Sequence, residues 1–121
     1  MLLSKAAIYC AQKGIGRIAL GPLAGNPFPD ATPQFFETMG RALSLGLAHP
    51  IVIDAPFASM DKSEVIRLGV ALGVPLELTL SCMNPHEGRH CGQCSKCRER
   101  RDAFHQAGVA DPTTYAVAPI R

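Results

Sequence analysis

Four of the five cysteines lie close together in the chain and set the strongest constraint on its fold. Cys82, Cys91, Cys94 and Cys97 follow the pattern C-x8-C-x2-C-x2-C. A C-x2-C step lets two thiolates face one ion while the backbone amides between them turn toward the sulfurs, and tetrahedral zinc takes four such ligands. The spacing therefore predicts a closed, structural zinc site with these four cysteines as the metal ligands.

Other interpretations of the cysteines stay open at this point. Disulfides form in oxidising compartments, and the start of the chain, residues 1–5, does not lead into a secretory signal. An iron–sulfur cluster also uses closely spaced cysteines, but the ferredoxin run ends in Cys-Pro, whereas Arg98 follows Cys97. His86 and His90 could each replace a cysteine. Because four thiolates complete the shell, we expect both histidines to be rim residues.

A basic run accompanies the cysteines and has two interpretations. A zinc ion with four thiolates carries a formal charge of minus two, which amides and nearby cations must balance. Alternatively, the run forms an anion site for a nucleotide, phosphate or RNA. The residues concerned are Arg89, Lys96, Arg98, Arg100 and Arg101.

Length and composition limit the possible classes. The chain has 121 residues, 47% of them hydrophobic, which suits one ordinary domain with a small core. A net charge of +2 argues against a dedicated nucleic-acid-binding protein but leaves room for a local basic patch. No apolar stretch approaches the roughly 20 residues that span a bilayer. We expect a soluble, cytoplasmic protein.

Apolar periodicity predicts an alternation of helices and strands in the first part of the chain. Residues 2–13 suit a helix in which Cys10 is a core residue, and residues 15–20 suit a strand. The Gly- and Pro-rich residues 21–30 form a shaped loop at the carboxyl end of that strand, where open α/β sheets bind ligands. Thr32 and Pro33 predict the N-terminus of a second helix.

The later part of the chain continues the same alternation. Residues 50–56 suit a second buried strand, and Asp61 with Glu64 suits a capping box for the helix that follows. A last helix is predicted over residues 98–107. Parallel βαβ architecture follows, although two strands make a marginal sheet. The predicted fold is α/β, a partial Rossmann-like parallel sheet in residues 1–75 with a zinc-binding lobe in residues 76–121.

Known phosphate-binding motifs are missing from the sequence. Neither G-x-x-x-x-G-K-[ST] nor G-x-G-x-x-G occurs. The chain therefore reads as half of a doubly wound domain with a zinc-bearing appendage.

Several segments together strongly resemble the C-terminal half of the 7-cyano-7-deazaguanine synthase family. Upstream, Gly21 and the Phe-Pro-Asp at residues 28–30 resemble the family's glycine-led loop ending in Tyr-Pro-Asp, and residues 110–113 are similar to its closing segment. The segments that carry the resemblance are APF at 55–57, KSEVIRLG at 62–69, LGVPLELTLSC at 72–82 and CGQCSKCR at 91–98.

The resemblance implies an ATP-dependent ligase of the queuosine pathway, with the adenine nucleotide alpha hydrolase-like fold of PP-loop ATP pyrophosphatases. The family adenylates 7-carboxy-7-deazaguanine, ammonia displaces AMP to give an amide, and a second activation dehydrates the amide to the nitrile. The four cysteines match its zinc ligands, and zinc there is structural. Asp30 falls on its Pro-Asp position, and Lys62 and Glu64 fall on its Lys-x-Glu, which makes these three the candidate catalytic residues.

Departures from the family pattern affect the expected activity. The family's ATP loop, Ser-Gly-Gly-x-Asp-Ser, does not occur in the chain, so we expect no catalysis by the 121 residues alone. Phe28 stands where the family has tyrosine, and Ala31 follows the aspartate in place of cysteine. The cofactor-binding residues for ATP are therefore unknown.

Three functional hypotheses remain. The chain is the zinc-bearing half of a deazaguanine synthase, a fragment of a related PP-loop enzyme that modifies tRNA, or a non-catalytic zinc-binding module. Under the first hypothesis, the expected partners are a deazapurine substrate, a missing N-terminal half or partner chain, and a second copy of the chain. That hypothesis includes neither a membrane nor tRNA as a partner.

Overall fold

The structure is a computed structural model that describes residues 2–117. Helices alternate with short strands, which confirms the predicted α/β class. Among the described residues, no helix combines the length and the apolar character needed to cross a membrane. The elements are α1 (Leu2–Lys13), β1 (Arg17–Ala19), α2 (Pro33–Leu47), β2 (Val52–Asp54), α3 (Lys62–Ala71) and α4 (Ser95–Ala107), with 3-10 turns at Pro29–Ala31 and Leu76–Leu78.

The two strands form a parallel sheet in the first compact unit, which ends at Asp61. Ile18 pairs with Ile53, and α2 makes the crossover that a parallel pair requires. Both strands are only three residues long, shorter than the runs predicted at 15–20 and 50–56. The pairing ends with the hydrogen bonds from the Val52 amide to the Gly16 carbonyl at 2.9 Å and from the Leu20 amide to the Asp54 carbonyl at 2.8 Å.

The core of the first unit lies between the sheet and helices α1 and α2. The aromatic ring of Phe36 on α2 is buried with Ile18 of β1, and partly buried side chains of α2 such as Met39 and Leu43 pack around them. Cys10 is one of the buried residues, as the sequence predicted. The buried set is Leu3, Ala7, Cys10, Ile18, Phe36 and Ile51.

Both ends of helix α2 have a recognisable cap. Thr32 Oγ1 accepts a hydrogen bond from the Phe35 amide at 3.2 Å, and Pro33 occupies the first helical turn, which confirms the predicted N-terminus. Ala48 closes the helix in the left-handed conformation at φ 48°, a position usually taken by glycine. Its amide donates to the Leu45 carbonyl at 3.3 Å, which satisfies one of the last carbonyls of the helix.

The second compact unit begins at Lys62 and is built on the packing of α3 against α4. Its buried apolar cluster consists of Ile66, Ala103 and Phe104, and the inward packing of the last two was predicted. Helix α4 starts at Ser95 rather than at Arg98, so the predicted start is wrong. The chain is extended at Cys94 and turns into the helix directly after it, which puts Cys97 in the first turn. Gly108 ends the helix at φ 68°.

The compact units divide the chain before α3, whereas the sequence analysis placed a domain boundary after residue 75. By contacts, α3 belongs with α4 because Ile66 and Phe104 share one cluster. The boundary between the functional domains, 1–75 and 76–121, stays a prediction.

The cap on α2 gives a test of the first unit. Thr32→Ala removes the oxygen that accepts the Phe35 amide, and we expect the free energy of unfolding in urea to fall by about 1 kcal/mol. Thr38→Ala, at an exposed position within the same helix, is the matched control and should leave stability unchanged or slightly higher. Equal stability of the two variants would contradict the capping role.

Candidate metal centre

The side chains of the four clustered cysteines converge on one point in the second unit. Their four Sγ atoms all lie within 4.8 Å of one another. Neighbouring sulfurs are 4.0 Å apart for Cys82 and Cys94, 3.9 Å for Cys91 and Cys97, and 3.5 Å for Cys94 and Cys97. With zinc–sulfur bonds of about 2.3 Å, the sulfurs of a tetrahedral site stand about 3.8 Å apart. The cluster could therefore hold one metal ion, with separations compatible with zinc.

The same distances decide between the alternatives for the cysteines. A disulfide needs sulfurs about 2.05 Å apart, and all five cysteines are free. A cluster of several iron atoms would need the sulfurs to stand around a larger volume than one ion occupies. The arrangement fits a single ion.

A tight turn brings Cys91 back to Cys82. His86 and Arg89 exchange backbone hydrogen bonds, at 3.0 Å from the His86 amide and 2.8 Å from the Arg89 amide. Between them, Glu87 and Gly88 both have positive φ, at 49° and 74°, which is the geometry of a two-residue hairpin turn. Cys94 and Cys97 then complete the set from the beginning of α4.

Backbone amides point at the sulfurs. The amides of Asn84 and Cys91 donate to Cys82 Sγ at 3.3 and 3.2 Å, and the amide of Cys94 donates to Cys91 Sγ at 3.4 Å. Hydrogen bonds of this kind favour the thiolate over the thiol and orient metal ligands. The loop therefore supplies part of the stabilisation that a negatively charged centre requires.

The acidity of the cysteines differs with their surroundings. The backbone amide of Met83, followed by that of Cys97, lowers the pKa of Cys94 to about 6. Burial raises the pKa of the Cys97 thiol to about 12, and that residue is fully enclosed among the other sulfurs. A buried thiolate is costly unless a cation lies beside it. A divalent ion among the four sulfurs meets this requirement, so the donor set fits a metal.

Gly92 is required by its conformation and by its neighbours. Its φ is 82°, in the left-handed region, and a side chain there would collide with the carbonyl oxygen of Val117. The Gly92 carbonyl accepts from Arg101 Nη1 at 2.8 Å. The glycine of the C-G-x-C step therefore lets the backbone at Val117 approach the metal loop.

Arg100 is buried in the second unit and ties three segments together. Only 6% of the residue is exposed. Its guanidinium donates to Thr79 Oγ1 at 2.9 Å, to Thr113 Oγ1 and to the Leu76 carbonyl at 2.9 Å. The planar, five-donor head suits such a multiple contact in a way that a lysine head does not.

Most members of the basic run contact groups other than the sulfurs. Arg89 pairs with Glu87 at 3.0 Å, Lys96 pairs with Glu99 at 2.9 Å, and Arg101 lies over the Tyr115 ring at 5.2 Å from its centroid. In these described contacts the amides, rather than the cations, touch the cysteines.

The rim position predicted for His90 is wrong. The residue is 5% exposed, and its amide and carbonyl bond with Thr114 and Ala116 at 3.1 and 2.7 Å. Its Nε2 accepts from the Ser81 amide at 3.1 Å, which requires an unprotonated nitrogen, and burial lowers the pKa of His90 in the same direction. His90 therefore joins the segments on either side of the metal loop. His86 is exposed, as expected of a rim residue.

Tyr115 packs against His90 in the second unit. The two rings meet edge to face, with centroids 5.9 Å apart, and the Tyr115 hydroxyl donates to Asp111 Oδ2 at 2.6 Å. Burial, together with this hydrogen bond, raises the pKa of Tyr115 to about 12. Asp111 also faces Arg100, 3.8 Å from its Nε.

The sequence analysis missed the supporting roles of Arg100, His90 and Tyr115. A signal existed for Arg100, which lies three residues after Cys97 and four before Phe104, on the buried side of α4. No comparable pattern marks His90 or Tyr115, because their partners come from distant parts of the chain.

The three candidate catalytic residues fall in both compact units. Asp30 is exposed in the first unit and lines a cavity of about 450 Å³ with Gly21, Asn26 and Phe36, at the carboxyl end of β1.

Lys62 lies in the second unit, where its Nζ donates a hydrogen bond to Glu99 Oε2 at 2.8 Å. The hydrogen bonds from Lys62 and Lys96 together lower the pKa of Glu99 to about 2.

Glu64, the third candidate, is exposed in the first turn of α3. The roles proposed for Asp30, Lys62 and Glu64 stay predictions.

Comparison with known proteins gives consistent matches over almost the whole chain. The family model described as queuosine biosynthesis protein QueC matches residues 1–108. The chain is 38% identical to a 7-cyano-7-deazaguanine synthase of Anaeromyxobacter dehalogenans over 96% of this chain and 53% of that protein. It is 42% identical to a synthase of the same name from Azoarcus sp. strain BH72, over 95% of this chain and 54% of that protein. The chain spans about half the length of these relatives, and it matches their C-terminal half.

A third relative matches a shorter stretch of the chain at higher identity. The 7-cyano-7-deazaguanine synthase of Methanoculleus marisnigri is 47% identical over 73% of this chain and 40% of that protein.

The buried arginine gives a test of the second unit. Arg100→Lys keeps the charge but loses the planar fork that serves Thr79, Thr113 and the Leu76 carbonyl, and we expect the free energy of unfolding to fall by about 2 kcal/mol. Arg98→Lys, exposed on the same helix, should change it by less than about 0.5 kcal/mol. Urea unfolding measures both, and a difference within error between them would refute the role of Arg100.

Proposed function

The chain belongs to the QueC family of queuosine biosynthesis proteins, and we propose that it provides the zinc-bearing C-terminal half of a 7-cyano-7-deazaguanine synthase. The observation that carries this proposal is the family match over residues 1–108 together with the four converging sulfurs inside it. Since the chain spans about half the length of its relatives, the complete activity requires residues that it does not contain.

The proposed metal is zinc, held by Cys82, Cys91, Cys94 and Cys97. Four thiolates complete a tetrahedral shell and leave no open position for a substrate or a water molecule, so the ion is structural. When bound, it supplies folding free energy by cross-linking the loop of residues 82–94 to the first turn of α4. A four-thiolate site also needs reduced cysteines, which supports a cytoplasmic location.

The proposed reaction follows the family. A carboxylate on the deazapurine is activated by ATP, ammonia forms the amide, and a second activation removes water to give the nitrile. Asp30 is our first candidate for contact with substrate, because it lines the cavity at the carboxyl end of β1, where open α/β sheets bind ligands. Lys62 is a weaker candidate for substrate contact than Asp30, because its ammonium group already forms an ion pair with Glu99.

We assign the phosphate-binding site for ATP to the N-terminal half of the family protein, which this chain does not span. The sequence has no glycine-rich phosphate loop. Four members of the basic run, Arg89, Lys96, Arg100 and Arg101, already contact groups of their own chain, which makes the run a poor substitute for that loop. The same contacts are a reason to prefer a small substrate over tRNA as the ligand.

Loss of one cysteine tests the metal centre. We expect Cys94→Ser to lower the zinc content of the purified chain from about one ion to well below one, with a fall in melting temperature, because a ligand is lost and metal binding is coupled to folding. Cys10→Ala, which changes a buried cysteine outside the cluster, should keep the full zinc content. Elemental analysis of both samples measures this. Unchanged zinc in Cys94→Ser would show that the four-thiolate assignment is wrong.

Turnover of 7-carboxy-7-deazaguanine with ATP and ammonia tests the function. We expect none from the chain alone, and turnover once the unmatched N-terminal part of the Azoarcus relative is joined to it. In that active chimaera, Asp30→Asn should lower kcat/KM at least about 100-fold without loss of stability, as removal of a group acting in proton transfer or charge stabilisation does.

The matched control for Asp30→Asn is Asp102→Asn, an exposed position on α4 that should keep full activity. Turnover by the 121-residue chain alone would contradict the proposal that the phosphate site lies elsewhere. An inactive chimaera that is folded and contains zinc would argue against the assigned reaction.

A further inference from the structure

Residues 111–117, which follow helix α4, pack against the metal loop of the second unit, and we call them the closing strap. The Thr114 carbonyl accepts from the His90 amide at 3.1 Å, and the Ala116 amide donates to the His90 carbonyl at 2.7 Å. His90 therefore uses both of its backbone groups to pair with the strap, as a residue of a parallel ladder does. The strap is thus hydrogen-bonded to the residue directly before the ligand Cys91.

The closing strap also reaches the residue directly after Cys91. The Val117 carbonyl oxygen occupies the space beside the Gly92 Cα that a side chain would need. The Gly92 carbonyl accepts from Arg101 Nη1 at 2.8 Å, and the Arg101 guanidinium lies 5.2 Å from the centre of the Tyr115 ring. The backbone on both sides of Cys91 is therefore held by the strap or by a side chain that packs on it.

Tyr115 is the side chain that holds the closing strap in place. Its ring meets the His90 ring edge to face, with centroids 5.9 Å apart, and its hydroxyl donates to Asp111 Oδ2 at 2.6 Å. Apart from the bridge at His90, residues 111–117 belong to no helix or strand. Segments held by so few contacts open at a lower free-energy cost than helices that pack in a core. The strap can therefore open while α3 and α4 stay folded.

The closing strap is connected to two of the four metal ligands through His90. An ion held by four thiolates has no vacant position, so one sulfur must move away before another ligand can replace it. Cys94 and Cys97 are fixed by the beginning of α4, whereas Cys82 and Cys91 lie in the loop. His90 precedes Cys91, and its Nε2 accepts from the amide of the residue before Cys82 at 3.1 Å. Movement of either loop ligand therefore disturbs the contacts that the strap makes.

We propose that the closing strap controls the release of the metal ion: residues 111–117 must lift from His90 and Gly92 before the ion can leave the four sulfurs. The proposal rests on the zinc ion of the proposed function, and it adds that the rate of strap opening sets how long the chain retains that ion. Opening breaks the contacts of Tyr115 and the two backbone hydrogen bonds to His90, which makes it a local event within the second unit.

Transfer of zinc from the purified chain to an excess of the coloured chelator pyridylazoresorcinol measures this control. Tyr115→Ala removes the ring and the hydroxyl that hold the strap, and we expect zinc release at least about tenfold faster than from the unchanged chain. Tyr115→Phe loses only the hydrogen bond to Asp111, so we expect an increase of about fivefold, the effect of one ordinary hydrogen bond. Tyr9→Ala, exposed on α1, is the matched control and should keep the original rate.

Hydrogen exchange on the zinc-loaded chain separates strap opening from loosening of the whole unit. The Ala116 amide reports on the strap because it bonds the His90 carbonyl, and the Phe104 amide reports on helix α4. In both Tyr115 variants we expect exchange at Ala116 to accelerate by about the same factor as zinc release, with no change at Phe104.

Other outcomes overturn the proposal. Faster exchange at Ala116 without faster zinc release would show that strap opening does not limit release. Equal acceleration at Ala116 and Phe104 would assign the effect to unfolding of the whole unit. Where Tyr115→Ala does not fold, Tyr115→Phe decides, and unchanged zinc release from a zinc-loaded Tyr115→Phe chain would refute strap control alone. An unsubstituted chain that is folded but binds no zinc would instead refute the metal assignment of the proposed function.

Discussion

The second compact unit depends on the mutual approach of four sulfur atoms. Within residues 62–117, its buried apolar cluster consists of Ile66, Ala103 and Phe104, which is small for a segment of this length. Sulfurs 3.5 to 4.0 Å apart cannot all be thiolates unless a cation neutralises them, and Cys97 in the middle is fully buried. A bound divalent ion neutralises the thiolates, and its bonds to the sulfurs cross-link the hairpin turn to α4. In our proposal zinc supplements the small hydrophobic core of this unit.

Polar contacts of buried side chains also hold together the segments that carry the four sulfurs. Arg100 joins the segments before and after the metal loop, and His90 bonds the Ser81 amide while pairing with the strand-like stretch at Thr114. These groups are buried but satisfied, so they hold the segments together without the cost of unpaired polar atoms. The four cysteines and these polar contacts therefore form one structural element.

The first compact unit has the opposite character, with a conventional apolar core and an incomplete sheet. Its cavity at Asp30 lies at the carboxyl end of β1, where parallel sheets place their ligand sites. In our proposal, the half of the synthase that this chain does not span carries the phosphate site, and this chain provides the loop at Asp30 and the four-cysteine lobe.

The α/β class, the cap of α2 at Thr32, the burial of Cys10 and the family could all be predicted from the amino-acid sequence, because they depend on local spacing and on motifs that are contiguous in the chain. It also gave the set of four cysteines that converge. Three features could be read only from the folded chain: His90 is buried rather than on the rim, Arg100 connects separate segments, and the strands are three residues long. Those outcomes depend on partners far along the chain, such as Ser81, Thr113 and the opposite strand, and no local pattern specifies a contact whose other half lies many residues away.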